Sequence, residues 1–333
     1  MAELKISSYT SNPNLKTVWD KWPGTPLDQN GDFINHHQPM TTGLRDVLRW
    51  QSRPNPDKAA KKVDTFRLKV IQADSFIEDT SDGIVWLGHA SYLIRLNGVL
   101  ILIDPVFGSP SALIKRFSDL PISIEKLNKL DIILLSHDHR DHADEASMKT
   151  LARQNPKVQY LTGLKLDSLL YKWTKSENIQ AAGWYQQFDA KFDLKITYLP
   201  SRHWGKRFIA DTNERLWGGF MIEGKGKTIY FAGDSGYGPH FKEIAAVFPN
   251  IDIAMIGMGA FKPEWFMGPS HTSPSDAHKA FKDTGAKTLL PMHYGTFDLA
   301  DEPIGEPFRQ MTEIKAKTND HIVLLNVGEV FKL

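Results

Sequence analysis

Between Ser136 and His142 the chain reads Ser-His-Asp-His-Arg-Asp-His, which places three histidines and two aspartates within six residues. Imidazole and carboxylate are the ligands that a borderline cation such as zinc accepts when thiolate is absent, and this chain contains no cysteine at all. In a loop, alternate side chains can converge on one point, so His137 and His139 can share an ion. Asp141 and His142, the next pair, turn toward a second point nearby. A solvated polar loop is the plain alternative, but an apolar strand seldom feeds four such ligands into one turn without a metal.

Three further residues could complete two sites, and each follows a strand. His203 comes after the strand that ends at Leu199-Pro200, Asp234 after Tyr230-Phe231-Ala232-Gly233, and His293 after Leu289-Leu290-Pro291-Met292. Taken singly, each reads as an ordinary hydrogen-bonded residue or a turn. Together with the first segment they supply three ligands per ion and one shared carboxylate.

The elements that must position these groups begin at Gly83. Ile84–Leu87 reads as a strand, and Tyr92–Leu96 and Val99–Asp104 flank Asn97-Gly98, a strong hairpin signal. Asp131–Ser136 is a buried strand running into the histidine-rich loop, and Asp144–Arg153 is a helix with aspartate at its start. Val158–Leu161 and Lys195–Leu199 are strands, with a helix over Gly163–Trp173 between them. Trp217–Glu223 and Thr228–Ala232 form a second hairpin. Helices are expected at Phe241–Phe248, Ser275–Lys282 and Ile304–Lys317, and strands at Ile251–Ile256, Lys287–Met292, His321–Asn326 and Glu329–Lys332. Two hairpin-led halves, each with strands feeding helices, predict two packed sheets covered by helices. Residues 1–80 differ: they are polar, rich in Pro and Asn, and lack strand-like runs. One helix is expected there, with Thr42 as N-cap and running through Leu44, Val47, Leu48 and Trp50. This region reads as an N-terminal arm docked by Trp19, Trp22 and Trp50 on a hydrolase domain of residues 81–333.

Composition narrows the partners. The chain has 333 residues, 41% hydrophobic and 24% charged, an ordinary globular balance with enough length for a sizeable core. Forty Lys and Arg against 39 Asp and Glu leave +1, so no global field draws it to nucleic acid. No window reaches the roughly 20 apolar residues of a membrane span, and the first residues carry no secretory pattern, which predicts a cytoplasmic protein. No Gly-x-Ser-x-Gly elbow or phosphate loop occurs.

The pattern H-x-H-x-D-H, then a separate His, then Gly-Asp, then a last His resembles the metallo-β-lactamase fold superfamily. Gly88-His89-Ala90-Ser91, Asp104-Pro105, Gly233-Asp234-Ser235-Gly236-Tyr237, Trp265-Phe266-Met267, His271 with Pro274, and His293-Tyr294-Gly295-Thr296-Phe297 are similar to the N-acyl-phosphatidylethanolamine-hydrolysing phospholipase D branch. The similarity runs from about Gly83 to Pro303. It implies an α/β (α+β) fold, an αββα sandwich of two mixed β-sheets flanked by helices, with a two-zinc site on one edge. His137, His139 and His203 would hold the first zinc, Asp141, His142 and His293 the second, and Asp234 would bridge them. Iron or manganese suits the same donors. The lack of a cysteine ligand departs from the lactamases proper and favours hydrolase branches with a bridging Asp.

The resemblance implies a phospholipase D-type phosphodiesterase of lipid metabolism acting on N-acyl-phosphatidylethanolamine or a related phosphodiester. Two adjacent cations lower the pKa of a shared water toward neutrality and neutralise charge on the phosphoryl oxygens. Asp141 and His271 are the expected catalytic residues, with His271 contacting the phosphoryl group or assisting the leaving group. Asp138 is expected to support its neighbours. His89 is expected either to orient a ligand from beneath or to be a buried structural residue. His36, His37, His240, His278 and His321 show no partner pattern. The aromatic clusters Phe107 to Phe117 and Phe261 to Met267 are either core or an apolar entrance giving peripheral membrane contact. A lactonase or nuclease of the same superfamily, and a metal-binding protein without turnover, are the competing readings. A homo-oligomer is compatible with all of them.

Overall fold

The computed structural model describes residues 5–38 and 43–333. Ile132–Leu135 explains the architecture in miniature. Its side chains alternate between two cores, Ile132 and Leu134 packing into one and Ile133 and Leu135 into the other. A strand buried on both faces needs an uninterrupted apolar run, and that is what the sequence supplies. The hairpin strand Val99–Ile103 behaves in the same way, with Ile101 and Ile103 facing one core and Leu100 and Leu102 the other.

Two seven-stranded mixed sheets result. The first runs, edge to edge, Val330–Lys332, Gly83–Gly88, Ser91–Leu96, Val99–Ile103, Ile132–Leu135, Gln159–Gly163 and Ile179–Ala182. Its hairpin pairs are antiparallel, and from Val99–Ile103 onward the strands are parallel. The second runs Thr288–Met292, Ile253–Gly257, Lys227–Phe231, Gly219–Gly224, Lys195–Leu199, Gln186–Gln187 and Lys16–Thr17. It repeats the plan: an antiparallel hairpin, Gly219–Gly224 with Lys227–Phe231, followed by two parallel additions. The larger core joins residues of both sheets, including Trp86, Tyr92, Phe220 and Phe231. The helices Glu145–Gln154 and Asp167–Thr174 cover the first sheet through Met148, Leu151 and Leu170. On the second sheet, His240–Val247 and Pro274–Thr284 pack together and bury Phe241, Ile244 and Phe281. The arrangement is the αββα sandwich of two mixed sheets flanked by helices.

Several local expectations change. The first 80 residues do contain strands, Ser8–Thr10, Lys16–Thr17 and Thr25–Leu27, and Lys16–Thr17 extends the second sheet. Strands of two or three residues carry too little alternation to be seen as a pattern. Trp22 and Phe33 are buried in the larger core, and Trp19 packs against it. The proposed N-cap Thr42 lies outside the described residues. The helix is Leu44–Gln51 with Gly43 as N-cap, and Asp46 accepts from the Gly43 amide at 3.0 Å. His321–Asn326 is not a strand: it makes an isolated bridge, Leu289 with Ile322.

Candidate metal centre

The histidine-rich loop begins where Ile132–Leu135 ends at the sheet edge. Ser136 is anchored there by Asp104, which accepts from the Ser136 amide at 2.8 Å and from its hydroxyl at 2.5 Å. The loop then turns tightly, with the His142 and Ala143 amides both donating to the His139 carbonyl. Asp144 ends it as the N-cap of the next helix, accepting from the Ser147 amide. Both ends are fixed, so the intervening side chains have a defined aim.

The second sheet brings the others to the same edge. His203 follows Lys195–Leu199, and its backbone is clamped by Asn35, whose Nδ2 donates to the His203 carbonyl at 2.8 Å and whose Oδ1 accepts from its amide at 3.1 Å. Asp234 follows Lys227–Phe231 through Gly233, which has φ +62°; a Cβ there would lie 2.3 Å from the Gly218 carbonyl, so glycine is required. His293 ends Thr288–Met292, and its amide donates to the His89 carbonyl at 3.0 Å. His89, Asp104 and His293 all have positive φ, of 52°, 42° and 64°. Left-handed backbone in non-glycine residues costs about 1–3 kcal/mol each and concentrates at functional sites.

The side chains converge in two groups. His137 Nε2 lies 3.0 Å from His139 Nδ1, and His203 Nε2 lies 3.1 Å from the same atom. One donor atom each from Asp141, His142 and His293, together with His89, lies within 4.8 Å of the others. Asp234 Oδ2 sits between the groups, 3.2 Å from His142 Nε2, 3.0 Å from His293 Nε2 and 3.8 Å from His203 Nε2. All seven residues singled out in the sequence therefore meet. His271, at 3.8 Å from Asp234, joins them at the entrance of the helix Pro274–Thr284, with its side chain 16% exposed.

The cluster fits divalent cations. His142 Nε2 and His293 Nε2 face Asp234 Oδ2 at 3.2 and 3.0 Å but out of hydrogen-bond geometry, and Asp234 Oδ1 is buried without a partner, a costly condition unless something binds them. Nitrogen lone pairs at about 3 Å from one another need a proton or a cation between them. Burial holds His137 and His203 well below the ordinary imidazole range. Burial alone would depress His293 too, but Asp234 and Asp141 outweigh it and hold it at about 9. His142 is raised well above its usual value, again by Asp234 and Asp141 against burial. The same carboxylate field that places protons on those rings would attract metal ions. Donor chemistry of imidazole plus carboxylate without thiolate is that of zinc, iron or manganese.

The surroundings were only partly visible in the sequence. Asp104 receives His142 Nδ1 at 2.8 Å and so fixes that ring, a role unassigned from the sequence. Asn35 was also missed, because nothing local marks a clamp on a residue 168 positions away. Asp138 is 1% exposed and accepts from the Lys206 amide and from Arg215, bracing the loop after His203. His89 Nε2 lies 3.0 Å from Asp141 Oδ2, behind that carboxylate, and burial lowers it to about 3. Of the five histidines without a sequence pattern, four find partners, His37 with Glu243, His240 with Ser235, His278 with Asp320 and His321 with Thr288, whereas His36 Nδ1 has none.

A cleft of about 580 Å³ opens onto the cluster. Its lining combines His139, Arg140, Asp141, Asp234 and His271 with the apolar Val47, Trp50, Ile114, Trp204, Phe266, Met267 and Leu299. Trp50, from the helix Leu44–Gln51, stacks on Phe266 at 5.1 Å. The arm thus forms one wall of the cleft.

A family model described as a beta-lactamase superfamily domain matches residues 100–294. The chain is 30% identical over 344 residues to the N-acyl-phosphatidylethanolamine-hydrolyzing phospholipase D 1 of Caenorhabditis elegans, spanning 96% of this chain and 91% of that protein. It is 32% identical over 234 residues to the mitochondrial N-acyl-phosphatidylethanolamine-hydrolyzing phospholipase D of Saccharomyces cerevisiae, covering 67% of this chain and 49% of that one. Among solved structures, a metallo hydrolase from the archaeon Ignicoccus hospitalis superposes with TM-score 0.58 at 20% identity, covering 76% of this chain and 99% of that one.

Proposed function

The chain belongs to the metallo-β-lactamase superfamily and is a metal-dependent hydrolase of that fold, and from this premise we propose a phospholipase D-type phosphodiesterase acting on N-acyl-phosphatidylethanolamine or a closely related phospholipid. The observation that carries the reading is the cleft: the same cavity is lined by His and Asp residues of the cluster and by the apolar Val47, Trp50, Ile114, Phe266, Met267 and Leu299. A diacyl phosphodiester has the same division, an anionic headgroup and long apolar chains.

His137, His139 and His203 would hold one zinc, Asp141, His142 and His293 the other, with Asp234 between them. When bound, the pair supplies a water acidified toward neutrality and positive charge facing the phosphoryl oxygens. The chain's own residues do the rest. Asp104 and His89 orient His142 and Asp141 from behind. His271 stands at the open side of Asp234, where its ring can reach the phosphoryl group or the departing alcohol. Burial holds it at about 4, so it is neutral at pH 7 and offers one N–H donor. Arg140 and Lys206, at the same cleft, place positive charge near the entering phosphate.

Leu113 and Ile209 are each 94% exposed and lie on loops whose neighbours Ile114, Lys206, Thr212 and Asn213 line the cleft. They suit contact with a bilayer, from which the substrate would be drawn. The test is hydrolysis of N-acyl-phosphatidylethanolamine in vesicles by the purified protein, with mass spectrometry of N-acylethanolamine and phosphatidic acid. Products that vanish with chelator and return with zinc support the reading. Absence of both products, alongside turnover of a lactone or an RNA, would overturn it.

A further inference from the structure

Outside the lining of the cleft, the arm meets the helix His240–Val247 beside the stretch that leads to His203. There His37 Nε2 lies 2.6 Å from Glu243 Oε1. One ring nitrogen of His36, one of His37 and a Glu243 carboxylate oxygen all lie within 4.8 Å of one another. We propose that His36, His37 and Glu243 form a further divalent transition-metal site, separate from the centre in the cleft.

A surface ion pair accounts for His37 and Glu243 but leaves His36 unexplained. Its Nδ1 is buried and has no hydrogen-bond partner. Its ring packs edge-on against Trp22 at 4.8 Å. The three residues border a small hollow of about 20 Å³, room for one water-sized particle. Arg202, in the same wall, is engaged with the Tyr237 carbonyl. Two imidazoles and one carboxylate leave a fourth tetrahedral position for water, a donor set that suits zinc, cobalt or nickel rather than magnesium or calcium.

The position gives the site a consequence. His36 follows Asn35, the residue that clamps both backbone groups of His203. An ion joining His36 and His37 to Glu243 would fasten this stretch of the arm to the helix His240–Val247 and hold Asn35 in register with His203. The site would therefore act as a structural clip whose occupancy steadies one edge of the cleft.

The experiment starts from protein dialysed with zinc until its retained metal content is constant. Calorimetric titration with Zn²⁺ alone should then detect one additional, weaker equivalent, with a rise in Tm of roughly 2 °C. His37→Ala and Glu243→Gln should lose both signals while keeping the retained zinc. His36→Gln is the decisive variant, because it leaves the His37–Glu243 pair intact; it too should lose the extra equivalent. Equal stoichiometry in the wild type and all three variants would overturn the proposal. So would retention in His36→Gln, or loss of the equivalent in His278→Ala, whose ring pairs with Asp320 elsewhere.

Discussion

His142 offers Nε2 to the cluster because its other nitrogen is committed, lying 2.8 Å from Asp104 Oδ2 in a fully buried pair. A carboxylate behind an imidazole selects the tautomer and raises its basicity. Asp104 also accepts from Ser136 at the loop's start, so one side chain fixes both the ring and the loop that carries it. Asp104→Asn keeps the shape and removes the charge. It should weaken zinc binding by about 10-fold or more, measured by competition with a chelator; unchanged affinity would remove Asp104 from the site. His271 calls for the opposite separation of effects. It stands 3.8 Å from Asp234, and its ring shares a donor group with Asp234 and His203, so a metal-holding role and a catalytic one must be told apart. His271→Ala should lower kcat by about 10²-fold with metal content intact. Metal analysis alongside steady-state kinetics decides it, and loss of metal equal to the loss of turnover would make His271 a ligand instead.

The helix Glu306–Lys317 has no side-chain cap of its own at Gly305. The arm supplies one: Asp64 accepts from the Gly305 amide at 3.0 Å and from Arg309 at 2.8 Å, placing a carboxylate at a helix N-terminus. Its hydrogen bond with Arg309, offset in part by burial, holds Asp64 at about 2. A depressed carboxylate stabilises the fold above its unfolded value near 3.8, and that contribution disappears as pH falls through about 2. Asp64→Ala should therefore cost about 1 kcal/mol at pH 7, discounted for the exposed Arg309, and the difference from wild type should shrink on acidification from about pH 4 to pH 2. Urea unfolding at several pH values measures it, and a pH-independent difference would assign the loss to packing. This contact also marks what a sequence can tell. Asn97-Gly98 and the strand leading into His137 were legible because their signals lie within a few residues. Asp64 and Gly305 are 241 positions apart, and nothing local in either announces the other. The same holds for Asn35 on His203 and for the two-residue strand Lys16–Thr17, while Asp104 was visible only as a motif without a role.

At the scale of the whole molecule, the cluster lies where the two sheets meet, and its residues divide between them. His137, His139, Asp141 and His142 follow a strand of the first sheet; His203, Asp234 and His293 follow strands of the second. Metal ions held by both sets would tie the halves of the sandwich together, so stripping them should lower Tm as well as abolish turnover. The pH dependence of that loss has a defined sign. Without metal, Asp234 and Asp141 keep His293 protonated up to about 9 despite burial, and His142 is raised as well. A raised histidine stabilises the fold below its unfolded value near 6.5, and that stability is lost as pH rises through about 9. Metal requires those same rings neutral, so its affinity grows over the same interval, by up to about 1.4 kcal/mol per pH unit for each proton displaced. The two trends oppose one another. Between pH 6.5 and 9 the stripped protein should become less heat-stable while the zinc-bound contribution increases, so the gap in Tm between them widens. Calorimetric scans of zinc-loaded and chelator-stripped protein across that range test this directly. A gap that stayed constant, or narrowed toward pH 9, would mean that no metal displaces protons from His142 and His293.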